Sequence, residues 1–376
     1  LVDQNVTAIA TGHNYSLYLK SDGSLCAMGA NAHGQLGDGT TIDRNTSVLI
    51  DQNVTTIAAG LDSNHSFYFK SDGSLHGMGR NHYGQLGDGT TTDKNSSVLI
   101  DSVSGDYVTA IAAGEFHSLF LKSDGSLRAM GANTYGQLGD GSTIQRKISV
   151  LIDQNVTAIA AGNTHSLFLK SDGTLRSVGR NNSGQLGDGT TTDRNSSALI
   201  DQNVTAIAAG SMHSLFLQSD GSLRAMGWNN LGQLGDGTNT DRNSSVLIDQ
   251  NVTAIAAGLH HSLFLKSDGS LRAMGSNIYG QLGDGTNTDR NSSVLIDQNV
   301  TAIAAGHYSS LYLKSDGSLH ATGRNHRGQL GDGTTTDRNT SVLIDQNVTA
   351  IAVANVHSLY LKSDGSLCAM GANAHG

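Results

Sequence analysis

One six-residue stretch, Gly-Gln-Leu-Gly-Asp-Gly, governs what this chain can fold into. It starts at Gly34, Gly84, Gly136, Gly184, Gly232, Gly280 and Gly328, in steps of 50, 52, 48, 48, 48 and 48 residues. A fixed period near fifty marks a stacked repeat array, in which each unit buries its apolar face against its neighbours. The repeat runs from end to end. The 376 residues therefore read as a single repeat domain, 1–376, although length alone would suggest two or three domains.

The copy from Val204 to Asp249 serves as the type unit. Val204 to Gly210 predicts a strand whose two faces are both small or apolar, and hence one covered on both sides. Ser214 to Gln218 predicts a second strand, Leu223 to Gly227 a third and Ser245 to Ile248 a fourth. Ser219-Asp220-Gly221-Ser222 is a tight hairpin turn with Gly where a positive φ is needed. There are 47 Gly and no Pro, so turns fall to Gly, Asn, Asp and Ser, which reach the left-handed region or close turns with their side chains. No segment of a dozen residues shows 3.6-residue apolar spacing, which excludes a helical solenoid. Four short antiparallel strands per unit is the pattern of a β-propeller blade. Two copies depart at turns. The second carries extra residues within Leu61-Asp62-Ser63-Asn64, and the third an insertion between Asp101 and Tyr107.

The motifs Ala-Ile-Ala-Ala-Gly-x-x-His-Ser-Leu-x-Leu-Lys-Ser-Asp-Gly and Gly-x-Asn-x-x-Gly-Gln-Leu-Gly-Asp-Gly resemble the regulator of chromosome condensation repeat along the whole chain. That resemblance implies a seven-bladed propeller. It also implies kinship with a guanine-nucleotide exchange factor, a secreted β-lactamase inhibitor and many bacterial surface proteins. The chain departs from the family where Arg224 and Met226 replace an aromatic pair, and where Ser197 and Ser245 replace a Pro before the fourth strand.

The chain ends raise a question of count. Ser16 to Gly34 and Ser358 to Gly376 are identical over nineteen residues, so the front half-repeat 1–34 returns at 343–376. Front halves then number eight and hexapeptides seven. The fold expected is all-β, a seven-bladed β-propeller of four-stranded antiparallel blades with a surplus half-repeat at one end. An unpaired half would be a template for head-to-tail pairing and a homopolymeric filament.

Little in the chain promises catalysis. His65, His117, His165, His213, His261 and His357 open the second strand, with Tyr15 and Ser309 in the equivalent places. Equivalent positions on a ring lie too far apart for one metal ion, and the resemblance implies that each His fixes its own loop. A hydrolase needs one asymmetric nucleophile, base and acid, which a motif copied around a ring does not supply. The Gly-rich stretches lack Gly-Lys-Ser/Thr and open no helix, so they cradle no phosphate. Asp188 to Asp193 and its equivalents are oxygen-rich but match no calcium-loop spacing, and read as carboxylates closing turns. No catalytic residue, metal or cofactor is therefore expected.

Comparison of the units with one another says more. Two connections vary while most positions repeat, and antiparallel order places both on one rim. Their side chains include Tyr83, Phe116, Tyr135, Arg180, Met212, Trp228, Leu231, Ile278, Tyr279, Tyr308, Arg324 and Arg327. Aromatic residues, Met and Arg on a rigid scaffold make the composition of a binding surface. A protein or glycan ligand is the partner expected. The net charge of −9 argues against nucleic acid, and no apolar run is long enough to span a bilayer.

Asn-x-Ser/Thr recurs at Asn5, Asn53, Asn95, Asn155, Asn195, Asn203, Asn243, Asn251, Asn291, Asn299, Asn339 and Asn347. These are candidate glycosylation sites and point to an extracellular or cell-surface location. Cys26 and Cys368 occupy equivalent places in the first and last copies, and no disulfide between them is expected. No charged-then-apolar leader opens the chain, which reads as a mature or excised segment. The function expected is a non-enzymatic extracellular scaffold binding through the variable rim. The alternative is a soluble enzyme inhibitor or exchange-factor-like binder.

Overall fold

A computed structural model describes residues 1–60, 62–102 and 107–373. Among these, seven sheets contain four antiparallel strands in chain order and an eighth contains three. In the type unit the strands run Val204–Ala209, His213–Gln218, Leu223–Gly227 and Arg242–Asp249. The fourth starts three residues before the predicted one, at the Arg that pairs with Gly227. The inserted residues 103–106 of the third copy and the last three residues of the half-repeat 343–376 lie outside the described residues.

The first strand is only half covered. Val204 is buried, but Thr205 is exposed and the alanines are half-buried. The cause is position, because the ends of these strands at Ala113, Ala161, Ala209 and Ala257 converge on a shared central cavity. The outer strands supply the grease. Leu215, Leu217, Leu223, Ala225 and Leu234 of one blade pack on Val252, Phe264 and Met274 of the next. The hydrophobic core is thus a ring of interfaces, each made by two consecutive blades, and no blade has a core of its own.

That ring decides the number of blades. One cluster joins Leu311, Leu319 and Leu330 to Val348 and Tyr360 of the three-stranded sheet. Another joins Leu359, Leu361 and Leu367 of that sheet to Val6, Tyr18 and Met28 of the first blade. Thr11 Oγ1 donates to the Val353 carbonyl at 3.2 Å across the same seam. The propeller therefore has eight blades, not seven with a half-repeat left over. Three strands suffice to make both interblade cores, so the count follows the front halves and not the hexapeptide.

Residues 1–3 complete the closure. Val2 N donates to the Leu367 carbonyl at 2.7 Å, and Leu367 N donates to the Asp3 carbonyl at 2.9 Å. Leu1-Val2-Asp3-Gln4-Asn5 echoes Leu-Ile-Asp-Gln-Asn, which ends six of the seven fourth strands. Asp3 duly makes the contacts of its counterparts. It meets Lys20 at 2.9 Å and accepts from the Tyr18 hydroxyl, as Asp51 does with Lys70 and Tyr68. A head-to-tail filament built on a surplus half has no surplus half to act through.

Gly227 shows how tightly the third strand meets its surroundings. Its φ is +107°, and a Cβ there would lie 2.6 Å from the Met212 carbonyl oxygen and 3.0 Å from the Gln185 Cα. Both obstacles are backbone and cannot rotate away. Gly227→Ala is expected to lower stability by about 2–4 kcal/mol, read as a shift in the denaturant midpoint. An unchanged midpoint would show that the backbone there yields.

Candidate functional site

The two variable connections of each blade do lie on one rim, and backbone bonds tie them together. Trp228 N donates to the Met212 carbonyl at 2.9 Å and Arg324 N to that of Tyr308 at 2.8 Å. The rim loop is then held from below. Asn229, fully buried, donates from Nδ2 to Asp236 Oδ1 at 3.0 Å and to the carbonyls of Thr238 and Thr240 at 3.1 and 3.2 Å. Its Oδ1 accepts from Leu234 N at 2.9 Å. The hexapeptide Gln holds the variable position itself, since Gln85, Gln233 and Gln281 Oε1 accept from the amides of Tyr83, Leu231 and Tyr279. The side chains differ from blade to blade while the backbone beneath them is fixed.

The charged member of this loop is equally well held. Burial alone would raise the Asp332 carboxyl, but bonds from Thr334, Arg338 and Asn325 outweigh it and bring the group down to about 2. Arg338 Nε lies 2.6 Å from it. These oxygens are spent on turn closure, as the sequence suggested for Asp188.

Side chains from adjacent blades meet on the rim. Tyr83 packs on Phe116 with centroids 5.2 Å apart, Trp228 on His260 at 4.9 Å and Tyr279 on Tyr308 at 5.2 Å. Arginines lie over these rings, with Arg80 over Phe116, Arg180 over Tyr135 and Arg324 over both Tyr279 and Tyr308. Of the residues singled out in the sequence, Tyr83, Phe116, Tyr135, Arg180, Trp228, Tyr279, Tyr308 and Arg324 fall into such clusters. Met212 and Leu231 are half-buried on the same rim, whereas Ile278 and Arg327 are exposed there. Arg80, His260 and His326, variable positions of the same two connections, join these clusters.

The recurrent histidines work differently from expectation. Each reaches the next blade, with His213 Nε2 at 3.0 Å from Ser262 Oγ and His261 Nε2 at 2.9 Å from Ser310 Oγ. The serine spends its single hydrogen on the preceding hexapeptide, Ser262 donating to the Gln233 carbonyl at 2.8 Å. The imidazole must therefore carry its hydrogen on Nε2, and it is held neutral. Burial pushes His65, His117, His213 and His261 down to about 3, and His165 and His357 to about 4. They are latches between blades and do not fix their own loops.

A second group has no forerunner in the repeat pattern. Asp62, in the second copy's insertion, crosses the mouth of the central channel to lie 2.5 Å from His307 Nε2 and 3.9 Å from His13 Nδ1. Burial, then His307, lowers His13, while burial, then Asp62, raises Glu115. The cavity beneath measures only about 50 Å³. Among the described residues, no three His, Cys, Asp or Glu side chains are placed to share a metal ion. Both cysteines are free thiols.

A family model described as the RCC1-like domain matches residues 145–376. The chain belongs to the RCC1-like domain family. Regulator of chromosome condensation repeats match separately at 54–85, 108–137 and 72–121. Among solved structures, this RCC1-like propeller resembles human WBSCR16 with a TM-score of 0.74 at 22% identity, covering 90% of this chain and 100% of the other. It resembles Prp20p from Saccharomyces cerevisiae, whose crystal structure was described with its binding to Gsp1p and histones. The TM-score there is 0.70 at 19% identity, covering 98% and 92% of the two chains. Yeast RCC1 (Prp20) bound to Kap60 gives the same score and identity. At such identities the likeness speaks to the fold.

The candidate glycosylation sites divide into two sets. Asn5, Asn53, Asn155, Asn203, Asn251, Asn299 and Asn347 are exposed on the opposite rim at φ near +60°. Asn95, Asn195, Asn243 and Asn339 instead donate Nδ2 to glycine carbonyls of the preceding blade, and Asn291 to the Asn239 side chain. A glycan at the second set would take one of the two Nδ2 hydrogens and crowd the seam between blades.

Proposed function

We propose that this chain is a non-enzymatic protein-binding propeller whose partner docks on the variable rim. The observation that carries the reading is the joining of aromatic and Arg side chains from consecutive blades into patches on rigid loops. Preorganised aromatic and Arg side chains bind at low entropic cost and are typical hot-spot residues. Outside the insertion between Asp101 and Tyr107, the opposite rim is built of near-identical Lys-Ser-Asp-Gly-Ser and Asp-Gln-Asn turns. Likeness to Prp20p, described with its binding to Gsp1p and histones, favours a protein over a glycan as partner. It also supports the second reading, an exchange-factor-like binder or inhibitor of one globular protein. We further propose an extracellular or cell-surface location, a reading that the seven exposed Asn-x-Thr asparagines of the opposite rim support.

The test compares partner retention on the immobilised protein with that on a Trp228→Ala, Tyr279→Ala variant. Both substitutions lie above the stapled loop, so thermal stability is expected to hold. Affinity for the retained protein is expected to fall at least about thirtyfold. A Gln202→Ala, Gln250→Ala variant of the opposite rim serves as control. Equal retention by both variants would move the site off the variable rim.

A further inference from the structure

Six arginines are spent inside the fold. Arg44, Arg146, Arg194, Arg242, Arg290 and Arg338 each place Nε 2.5–2.6 Å from the hexapeptide Asp of their own blade. Arginines of the variable rim are held differently. Arg80 lies 5.0 Å over the Phe116 ring, Arg180 4.9 Å over Tyr135, and Arg324 5.3 and 5.6 Å over Tyr279 and Tyr308. Among the described residues, none of these three forms an ion pair, although the chain's net charge is −9. Glu115 feels Arg80 but does not pair with it, and burial and Asp62 raise its carboxyl more than Arg80 lowers it.

Two of the three are clamped further. Arg80 Nε donates to His82 Nδ1 at 3.4 Å, and Arg324 Nε to His326 Nδ1 at 3.3 Å. Each imidazole sets its Nε2 near a carboxylate of its own loop, Asp93 at 3.7 Å and Asp337 at 3.1 Å. An aromatic ring thus covers one face of the guanidinium, and in these two the imidazole takes Nε. Among the described residues, the Nη groups of all three arginines make no hydrogen bond. A guanidinium stacked on a ring keeps its donor edge, and that edge matches a carboxylate through two parallel bonds. Holding the side chain in place beforehand lowers the entropic cost of capture.

We propose that Arg80, Arg180 and Arg324 are seats for the carboxylates of an acidic protein partner, an inference that rests on docking at the variable rim. Counted from the N-terminus, the seats lie at the junctions of blades 2 and 3, 3 and 4, and 6 and 7. In a ring of eight the first and last of these are four junctions apart, on opposite sides of the channel mouth. The partner therefore meets them with an acidic face that straddles the mouth. Nucleic acid suits the arrangement poorly. Separated seats do not track a phosphate backbone, and the negative charge of the whole chain repels one.

The probe is a fluorescein-labelled oligoglutamate peptide, with an oligoglutamine peptide of equal length as its neutral control. Each is added to the intact chain at low salt and followed by fluorescence anisotropy. The acidic peptide should bind and the neutral one should not. The triple change Arg80→Gln, Arg180→Gln, Arg324→Gln should weaken binding about thirtyfold or more. The matching triple change to Lys keeps every charge but not the paired donors, and should still cost about fivefold. Thermal melts check that both variants fold, and the Lys variant decides should the Gln variant melt early. No binding of the acidic peptide would overturn the proposal. So would a Lys variant that binds like the parent, since the field alone would then attract the peptide. Loss of a retained protein from the Trp228→Ala, Tyr279→Ala variant, with none of these effects, would leave rim docking standing and remove the acidic partner.

Discussion

Acid is expected to unfold this propeller well above the range in which carboxylates protonate. Six latch histidines are buried and neutral, with folded values near 3 to 4. In the unfolded chain each returns to about 6.5. A depressed folded value means full stability above 6.5, with the loss accumulating as pH falls from 6.5 towards 4. Each histidine steepens the fall by about 1.4 kcal/mol per pH unit. By pH 5 the six together would withdraw on the order of 10 kcal/mol, comparable with the whole stability of a typical domain. Cooperative unfolding between pH 6 and 4, with uptake of at least about six protons, is the expected result in a titration followed by circular dichroism. His213→Gln, which keeps a donor for Ser262, should move the midpoint to lower pH. A midpoint below pH 4 in the parent protein would show that the imidazoles are not held neutral by burial.

The second large effect is expected at the loop staple. Asn229 has no exposed surface and bonds Asp236, Thr238, Thr240 and Leu234 at once, while its own amide donates to Asp241 at 2.8 Å. Asn229→Ala leaves several buried backbone groups unpaired, at a cost of about 3–5 kcal/mol in denaturant melts. Asn229→Asp keeps the shape and the acceptor for Leu234. However, it loses the donors and sets a carboxylate against Asp236, so it should be at least as damaging. A mild aspartate variant would mean that the donors of Nδ2 contribute little. Either variant should also release Trp228, whose position depends on the loop below it.

Local spacing carried much of this molecule. The strands, the Gly221 turn and the shared rim of Trp228 and Met212 followed from pattern and turn chemistry within a single unit. The blade count did not, because closure rests on Asp3 meeting Leu367, two residues at opposite ends of the chain. The clue was the echo of Leu-Ile-Asp-Gln-Asn in the first five residues. The histidines went astray for a related reason. In a periodic sequence, a bond from His213 to its own loop and a bond to Ser262 in the next unit leave the same pattern. Rim variation was legible because the repeats align with one another, but the pairing of Trp228 with His260 needed the angle between blades. Asp62 lay in an insertion with no counterpart, and no periodicity announces where such a residue will point.

The His–Ser–Gln relay beneath the rim has one more consequence. The bonds of that relay, which join blade to blade, lie below the variable loops and are drawn from positions that scarcely change. A duplicated or transplanted unit thus arrives with its own coupling to either neighbour, whatever its loops contain. Stability is inherited with the unit, and recognition is free to diversify above it.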